Sequence, residues 1–284
     1  MTDIARTDIP VPPALATVPK TVRLHPFGLD GVRTGPISAI AAVVLLTAWF
    51  LVSHFRLVPP LFLPGPAEVA FQFGALIDDG YSGATLWEHV SASLLRILGA
   101  SAIAASLGIP LGLAMGLNRW AKGVLDVPIE FYWPLPPLAY LPLVIIWLGI
   151  GEASKVVLLT LAIFAPICLS AQAGVRALPI ERVHAALSLG ATRWQIFRAI
   201  VLPSALPEIL TGVRIGIAVG WSTLVAAELI AATRGIGFMI MSASHFLATD
   251  VVFVGIGIIA ACAFAFSYAM RLLELWLVPW KGKS

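Results

Sequence analysis

Charged side chains are scarce in this chain of 284 residues, since only 12% of the residues are Asp, Glu, Lys or Arg. Soluble domains carry about 25% charged residues. The deficit, together with 59% hydrophobic residues and a mean hydropathy of +0.94, excludes a soluble globular domain. Long apolar runs predict an all-α integral membrane protein instead. The net charge of +3 comes from scattered basic residues, so no nucleic-acid partner is expected.

Side chains that build metal or catalytic centres are also few. The two cysteines, Cys168 and Cys262, lie inside apolar runs and are interpreted as packing residues. The five histidines lack ligand spacing, and no carboxylate pair stands out. We therefore expect no metal site and no enzymatic activity.

A phosphate-binding loop is missing as well. The stretch Gly282-Lys283-Ser284 resembles the end of such a loop, but Leu277 stands where the first glycine is needed, and no helix is predicted after it. We expect no cofactor in this chain. If transport is driven by ATP, a separate subunit must bind ATP and Mg²⁺.

Six apolar runs are long enough to cross a membrane. They cover residues 34–55, 97–118, 131–151, 156–175, 209–227 and 251–270. A short amphipathic segment at 67–77 is placed at the outer surface. Residues 231–247, which are rich in Gly and Met, predict an outer hairpin or half-helix.

The basic residues orient these spans. With the N-terminus inside, the outer segments hold only Arg56, Lys155 and Arg234. The inner segments hold Arg6, Lys20, Arg23, Arg33, Arg119, Lys122, Arg176, Arg182, Arg193, Arg198, Arg271, Lys281 and Lys283. The positive-inside rule therefore predicts cytoplasmic N- and C-termini.

The third run contains several prolines, which remove backbone donors and break a helix. In lipid, a broken helix is tolerated where protein or a water-filled cavity satisfies the free backbone groups. Such a helix lines a transport pathway in many transporters, although a kinked packing helix is an equal alternative here. The candidate pathway residues are Pro134, Pro136, Pro137, Tyr140 and Pro142.

A polar, basic segment at 181–203 separates the fourth and fifth runs. Its first part favours a helix with Ala185, Ala186 and Leu189 on one face, and Gly190 permits a sharp turn. Thr192 and Gln195 predict a capping box that starts a second helix. In that helix Trp194, Phe197, Ile200 and Val201 are predicted to form one apolar side. Such a segment fits a groove of a partner protein, or else lies among lipid headgroups.

The same segment resembles the cytoplasmic loop of permeases in binding-protein-dependent ABC importers. The resemblance rests on Ala185-Ala186, on Gly190 and on Ile200-Val-Leu202-Pro203, whereas His184 replaces the usual Glu. Further stretches resemble the nitrate/sulfonate/taurine branch, and the resemblance covers about residues 60–280. These stretches are Leu63-Pro-Gly-Pro66-Ala-Glu-Val, Gly108-Ile-Pro110-Leu-Gly, Trp133-Pro-Leu-Pro136-Pro-Leu-Ala-Tyr-Leu-Pro142-Leu and Leu224-Val-Ala-Ala-Glu228.

The resemblance implies a type I importer fold in the inner membrane. It implies a permease homodimer, two ATP-binding subunits and a periplasmic substrate-binding protein as partners. The solute would be small and anionic or zwitterionic, most simply taurine or an alkanesulfonate, with nitrate as an alternative. A self-sufficient secondary transporter is the rival class, but it would need acids deep within the spans, which this sequence scarcely has.

The predicted organisation follows from these observations. It comprises a cytoplasmic tail (1–33), a first transmembrane helix (34–56), a periplasmic segment (57–90), a permease core (91–280) with a cytoplasmic coupling loop (178–203), and a C-terminal tail (281–284). The predicted docking residues for the ATP-binding subunit are His184, Ala185, Ala186, Gly190, Thr192, Trp194, Phe197, Ile200 and Pro203.

Ionisable residues near the spans need partners, because a charge in the membrane costs about 2.5–3.5 kcal/mol on insertion scales. Arg96 and Glu228 are predicted to lie at similar depth, where they could pair and shape an outer gate. Arg214 lies in the inner half of the fifth span. It snorkels to the membrane surface or caps neighbouring carbonyls, or it faces the pathway, unless Glu130 or Glu274 reaches it.

Overall fold

The computed structural model describes residues 34–279, and the secondary-structure elements within this range are helices. The predicted tails at 1–33 and 281–284 lie outside the described residues. The helices are α1 (Thr34–His54), α2 (Pro66–Asp78), α3 (Leu86–Leu117), α4 (Arg119–Tyr132), α5 (Pro137–Leu148), α6 (Glu152–Arg176), α7 (Ile180–Ser188), α8 (Arg193–Ile196), α9 (Leu202–Ala231), α10 (Ile236–His245) and α11 (Thr249–Leu277). A π-helical turn, Phe197–Val201, joins α8 to α9.

Five helices in the described part of the chain are long and apolar enough to cross a membrane. The number rises to six if α4 and α5, which are bent by 104° at their junction, form one broken span. Each of these spans overlaps one predicted apolar run, and the break falls in the proline-rich third run, as predicted. Most of α4 precedes that run, because its residues Arg119 and Lys122 were predicted to lie in an inner segment.

The chain divides into two units between Leu51 and Val52. The first unit contains most of α1, a single apolar helix with exposed side chains. All helices from α2 to α11 belong to the second unit.

The predicted starts of two spans are too late. Helix α3 begins at Leu86, inside the predicted 57–90 segment, and passes through Arg96 without a break. Helix α6 likewise begins at Glu152 and includes Lys155. These two predicted spans contain only uncharged residues, whereas in the structure Arg96 is paired with acids on two other helices and Lys155 is paired with Glu152 of its own helix.

Helices α3, α6 and α9 pack together as the centre of the second unit, with α6 in contact with both others. Their shared core is formed by Ile97, Ala100, Ala104, Leu159, Ile163, Ile167, Ile217, Trp221 and Leu224. Glycines allow the backbones to approach closely. A Cβ on Gly112 of α3 would run into the carbonyl oxygen of Cys168 on α6, and one on Gly216 of α9 would lie 2.9 Å from the carbonyl oxygen of Ile163. Small residues at helix contacts serve this purpose in membrane proteins.

Further helices of the second unit pack around this centre. Helices α2 and α10 pack against α11 through a second apolar cluster that includes Leu76, Met239 and Val254. Helix α5 packs against α6 and α9 through Leu141 and Val144. Cys168 is fully buried and, like Cys262, is a free thiol, as the sequence analysis predicted.

Candidate functional site

An ion network joins α3, α6 and α9 near one end of the bundle. Arg96 of α3 donates from Nη1 to Oε1 of Glu228 on α9 at 2.7 Å. It also donates from Nε and Nη2 to Oε2 and Oε1 of Glu152 on α6, at 2.6 and 2.7 Å. Lys155 donates from Nζ to the same Glu152 Oε1 at 2.6 Å. We call these four residues the ion network; its two positive and two negative charges balance.

Burial differs sharply within the ion network. The side chains of Arg96, Lys155 and Glu228 are 7%, 3% and 1% exposed, whereas that of Glu152 is 64% exposed. Removing an ion from water costs several kcal/mol, which a well-placed opposite charge offsets. The three buried charges therefore depend on one another and on Glu152, which is itself in contact with solvent.

Glu228 also fixes the start of α10. Its Oε1 accepts a hydrogen bond from Ser93 Oγ at 2.7 Å, and its Oε2 accepts one from the Gly237 backbone N–H at 2.8 Å. Ser93 Oγ in turn accepts from the Ile236 N–H at 2.9 Å. The buried carboxylate thus holds α3, α9 and the first turn of α10 together.

Gly235 makes this arrangement possible. Its φ of +140° is strained for other residues, and a Cβ there would run into the Glu228 carboxylate. Its N–H donates to Nδ1 of buried His89 at 3.2 Å, while His89 Nε2 lies 3.0 Å from the Tyr81 carbonyl oxygen. The Gly235 carbonyl oxygen also lies 3.1 Å from Nδ1, so the Nε2–H tautomer serves the contacts with Tyr81 and the Gly235 N–H, and the Nδ1–H tautomer serves the Gly235 carbonyl. His89 therefore ties the turn before α10 to the segment before α3.

The structure places the predicted pair Arg96 and Glu228 in direct contact. Glu152 and Lys155 were not predicted as members of the network, since the sequence placed Lys155 only in an outer segment. A signal was present: an acid and a base stand three residues apart at the start of an apolar run.

Arg214 does not join the ion network. It pairs with Glu274 of α11 at 2.6 Å, which was one of the two acids considered, and remains 45% exposed. It precedes Glu228 by fourteen positions on α9, or roughly 21 Å along the helix axis.

The candidate pathway residues lie at the break between α4 and α5 and on α5. Pro134, Pro136 and Pro142 are exposed, and Pro137 and Tyr140 are partly buried. Leu141, which lies between Tyr140 and Pro142, is buried. Helix α5 ends at Leu148, and the Gly149–Gly151 turn leads directly into Glu152 of the ion network. The broken span and the ion network are therefore neighbours in the chain.

The coupling loop forms the predicted helix–Gly–helix. Gly190 follows α7 with φ +79°, a left-handed conformation that favours glycine. The Thr192 N–H donates to Gln195 Oε1 at 2.8 Å and the Gln195 N–H donates to Thr192 Oγ1 at 3.3 Å, which completes the predicted capping box. Trp194 is 66% exposed and stacks on Phe197 with ring centroids 5.6 Å apart.

The apolar faces of this loop differ from the prediction. In α7 the side chains packed against the bundle are Val183 and Ala186, so Ala185 and Leu189 are exposed. In the second helix Val201 is buried, Ile200 is partly buried and Trp194 points to solvent, so the four residues do not form one exposed stripe.

The π-helical turn explains part of that difference. The Leu202 N–H donates to the Phe197 carbonyl, five residues back, which adds a residue to the turn and shifts the following side chains around the axis. Pro203 has no N–H to donate to Ala199, so the regular ladder is interrupted at this place. His184 is exposed, and Pro203 is partly buried.

No group of three or more His, Cys, Asp or Glu side chains within residues 34–279 could hold a metal ion. The geometry described above consists of a balanced ion network, a broken span and an exposed basic loop.

Comparison with known proteins places these features in context. Residues 108–278 match the family model described as "Binding-protein-dependent transport system inner membrane component". The chain is 55% identical over 252 residues to the taurine transport system permease protein TauC of Escherichia coli, which covers 88% of this chain and 92% of that protein. It is 38% identical to the putative aliphatic sulfonates transport permease protein SsuC of the same organism, with coverage of 83% and 88%.

A solved structure of an inward-facing MetNI methionine ABC transporter contains a similar chain. The TM-score is 0.59 at 16% sequence identity, and the match covers 72% of this chain and 98% of that one. The likeness shows a shared fold.

Proposed function

The chain belongs to the family of binding-protein-dependent transport system inner membrane components, and we propose that it forms the membrane pathway for taurine and related alkanesulfonates. Membership in the family confirms the resemblance seen in the sequence, the inner-membrane location and the role as a transport subunit rather than an enzyme. The observation that carries the choice of solute is the 55% identity with a taurine permease over most of both chains.

The choice of solute rests on that identity because the family alone does not decide it. A riboflavin transport system permease, RibX of Chloroflexus aurantiacus, is 31% identical to this chain. The two relatives with sulfonate or taurine names are more similar. Nitrate and a self-sufficient secondary transporter are therefore disfavoured alternatives.

Partners follow from the family: an ATP-binding subunit supplies the energy and a substrate-binding protein delivers the solute. We propose the full assembly as two copies of this chain, two ATP-binding subunits that hold ATP and Mg²⁺, and one periplasmic binding protein. Broad apolar surfaces on α4 and α5, which include Trp120, Phe131 and Trp147, are available to the second copy and to membrane lipid.

The coupling loop is proposed to dock on the ATP-binding subunit in the cytoplasm. The exposed Trp194, stacked on Phe197, supplies an apolar knob on an otherwise polar and basic segment. This placement puts both termini in the cytoplasm and the ion network at the periplasmic end. We propose that the Arg96–Glu228 pair holds the periplasmic ends of α3, α9 and α10 in one arrangement and so shapes the outer gate.

The test is uptake by the complete importer. The chain is expressed with its ATP-binding subunit and binding protein in cells that lack taurine uptake, and entry of radiolabelled taurine is measured. We expect uptake that requires ATP hydrolysis and that excess ethanesulfonate, but not nitrate, inhibits. Absence of taurine uptake by a well-expressed complex, or uptake by this chain without the ATP-binding subunit, would contradict the proposal.

A further inference from the structure

We propose that Arg96 and Lys155 form a binding site for the sulfonate group of the solute, which Glu152 occupies in this structure and from which the sulfonate displaces it. This inference rests on the proposed function, because it assigns residues to the sulfonate within the pathway. It concerns the side of the ion network where Arg96 and Lys155 contact the exposed Glu152. The contact between Arg96 and Glu228 stays in place.

The three nitrogen donors that contact Glu152 suit the three oxygen atoms of a sulfonate better than the two of a carboxylate. Arg96 Nε, Arg96 Nη2 and Lys155 Nζ all donate to the Glu152 carboxylate. Oε1 accepts two of these hydrogen bonds and Oε2 accepts the third. A sulfonate has three oxygens, so each donor can have its own acceptor, and the planar fork of an arginine pairs well with such an anion.

The charges also favour an anion. When Glu152 turns away, the buried charges that remain are those of Arg96, Lys155 and Glu228, with a sum of +1. A buried excess charge is costly until a counter-ion arrives. A sulfonate carries a single negative charge and restores the balance that Glu152 provides.

Glu152 is placed to leave toward solvent rather than into the bundle. Its side chain is 64% exposed, so the released carboxylate is hydrated by water. It stands in the first turn of α6, directly after the turn that contains Gly149 and Gly151, at the end of the broken span. The site is therefore at the junction between the candidate pathway and the central helices.

The experiment measures equilibrium binding of radiolabelled taurine to the purified complex of this chain and its ATP-binding subunit in lipid nanodiscs. The binding protein is left out because its own affinity would hide the change. Glu152→Gln removes the competing charge, and we expect the taurine Kd to fall about threefold, the scale of a partly exposed ion pair. Lys155→Gln removes a buried donor, and the Kd should rise about tenfold, while Lys155→Arg keeps most of the binding.

Glu88→Gln is the matched control. Glu88 is a partly exposed acid that pairs with Arg234 at 3.1 Å and accepts the Thr85 N–H at the start of α3. Glutamine preserves that cap, since either residue completes a capping box. The Kd of this variant should equal that of the wild type. Thermal melting of each variant verifies that the complex is intact.

Two results separate the possible failures. If Glu152→Gln melts normally but binds taurine no more tightly than the wild type, while the complete importer still takes up taurine, Glu152 is a structural clamp and this inference is overturned alone. If the complete importer takes up no sulfonate, the proposed function is overturned, and this inference with it.

Discussion

Replacing Glu228 with Ala tests the energetic role of the ion network directly. The substitution removes the carboxylate that receives Arg96 Nη1, Ser93 Oγ and the Gly237 N–H, all within 2.8 Å. Breaking a buried ion pair by deleting one partner costs about 3–5 kcal/mol. Because Glu152 still neutralises part of the positive charge, we expect the lower end, about 3 kcal/mol.

The measurement is thermal unfolding of the purified complex in detergent, followed by tryptophan fluorescence. On the scale of soluble domains of comparable size, about 3 kcal/mol corresponds to a decrease in Tm of roughly 6–12 °C. Glu88→Gln serves as the control, since exposed ion pairs contribute about 0–1 kcal/mol. A Glu228→Ala complex that melts within a degree of the wild type would refute the view that the network stabilises this end of the bundle.

Three further predictions concern other parts of the chain. Trp194→Asp should leave insertion and folding intact, because the side chain is mostly exposed, but should uncouple ATP hydrolysis from uptake; normal transport by a well-expressed variant would contradict the docking role. Cysteines placed along 135–143 should react with water-soluble thiol reagents in a manner that depends on ATP, except at buried Leu141; labelling only by lipid-soluble reagents would argue against a pathway. Gly112→Ala should lower the Tm because its Cβ meets the backbone of α6, whereas Gly99→Ala, with nothing within 4 Å, should not; equal Tm values would disprove the close contact.

Exchanging the charges of Arg96 and Glu228 is a further test of their pairing. The exchange places a carboxylate at position 96, next to Glu152. The two negative charges then repel each other. We therefore expect the double reversal to recover uptake only when Glu152→Gln is added. Recovery by the double reversal alone would show that Glu152 is unimportant to the pair.

Helix locations were predictable because each depends on a local apolar run. The break after Tyr132 was predictable for the same reason, since prolines act on their own backbone. The helix ends were less predictable, because Arg96 looks like a helix boundary until its partners on other helices are known, and Lys155 looks like one until it is seen to pair with Glu152 of its own helix. The partners of Arg96 lie 56 and 132 residues away in the sequence, and no local pattern indicates them.

In the coupling loop, too, features that depend on neighbouring residues were predictable and features that depend on distant contacts were not. The turn at Gly190 and the capping box at Thr192 involve residues three or fewer positions apart, and both formed as expected. The inward face of α7 depends on packing against α6 and α9, which the sequence pattern alone does not specify. The π-helical turn has a local contribution from Pro203, which lacks the N–H that would continue the regular ladder. By contrast, the glycines of α3 that touch α6 recur every fourth residue, a signal that the sequence analysis did not use.

The ion network has a consequence for the way the chain is made. Arg96 leaves the ribosome first, and its partner Glu228 follows 132 residues later. Glu152 is made between them, so the growing chain carries an arginine in α3 before either carboxylate exists. An unpaired arginine in a membrane helix costs about 2.5–3.5 kcal/mol on insertion scales. The charges at this end of the bundle therefore balance only after α9 has been synthesised. Stable insertion of α3 in the bilayer thus depends on a helix from the second half of the chain.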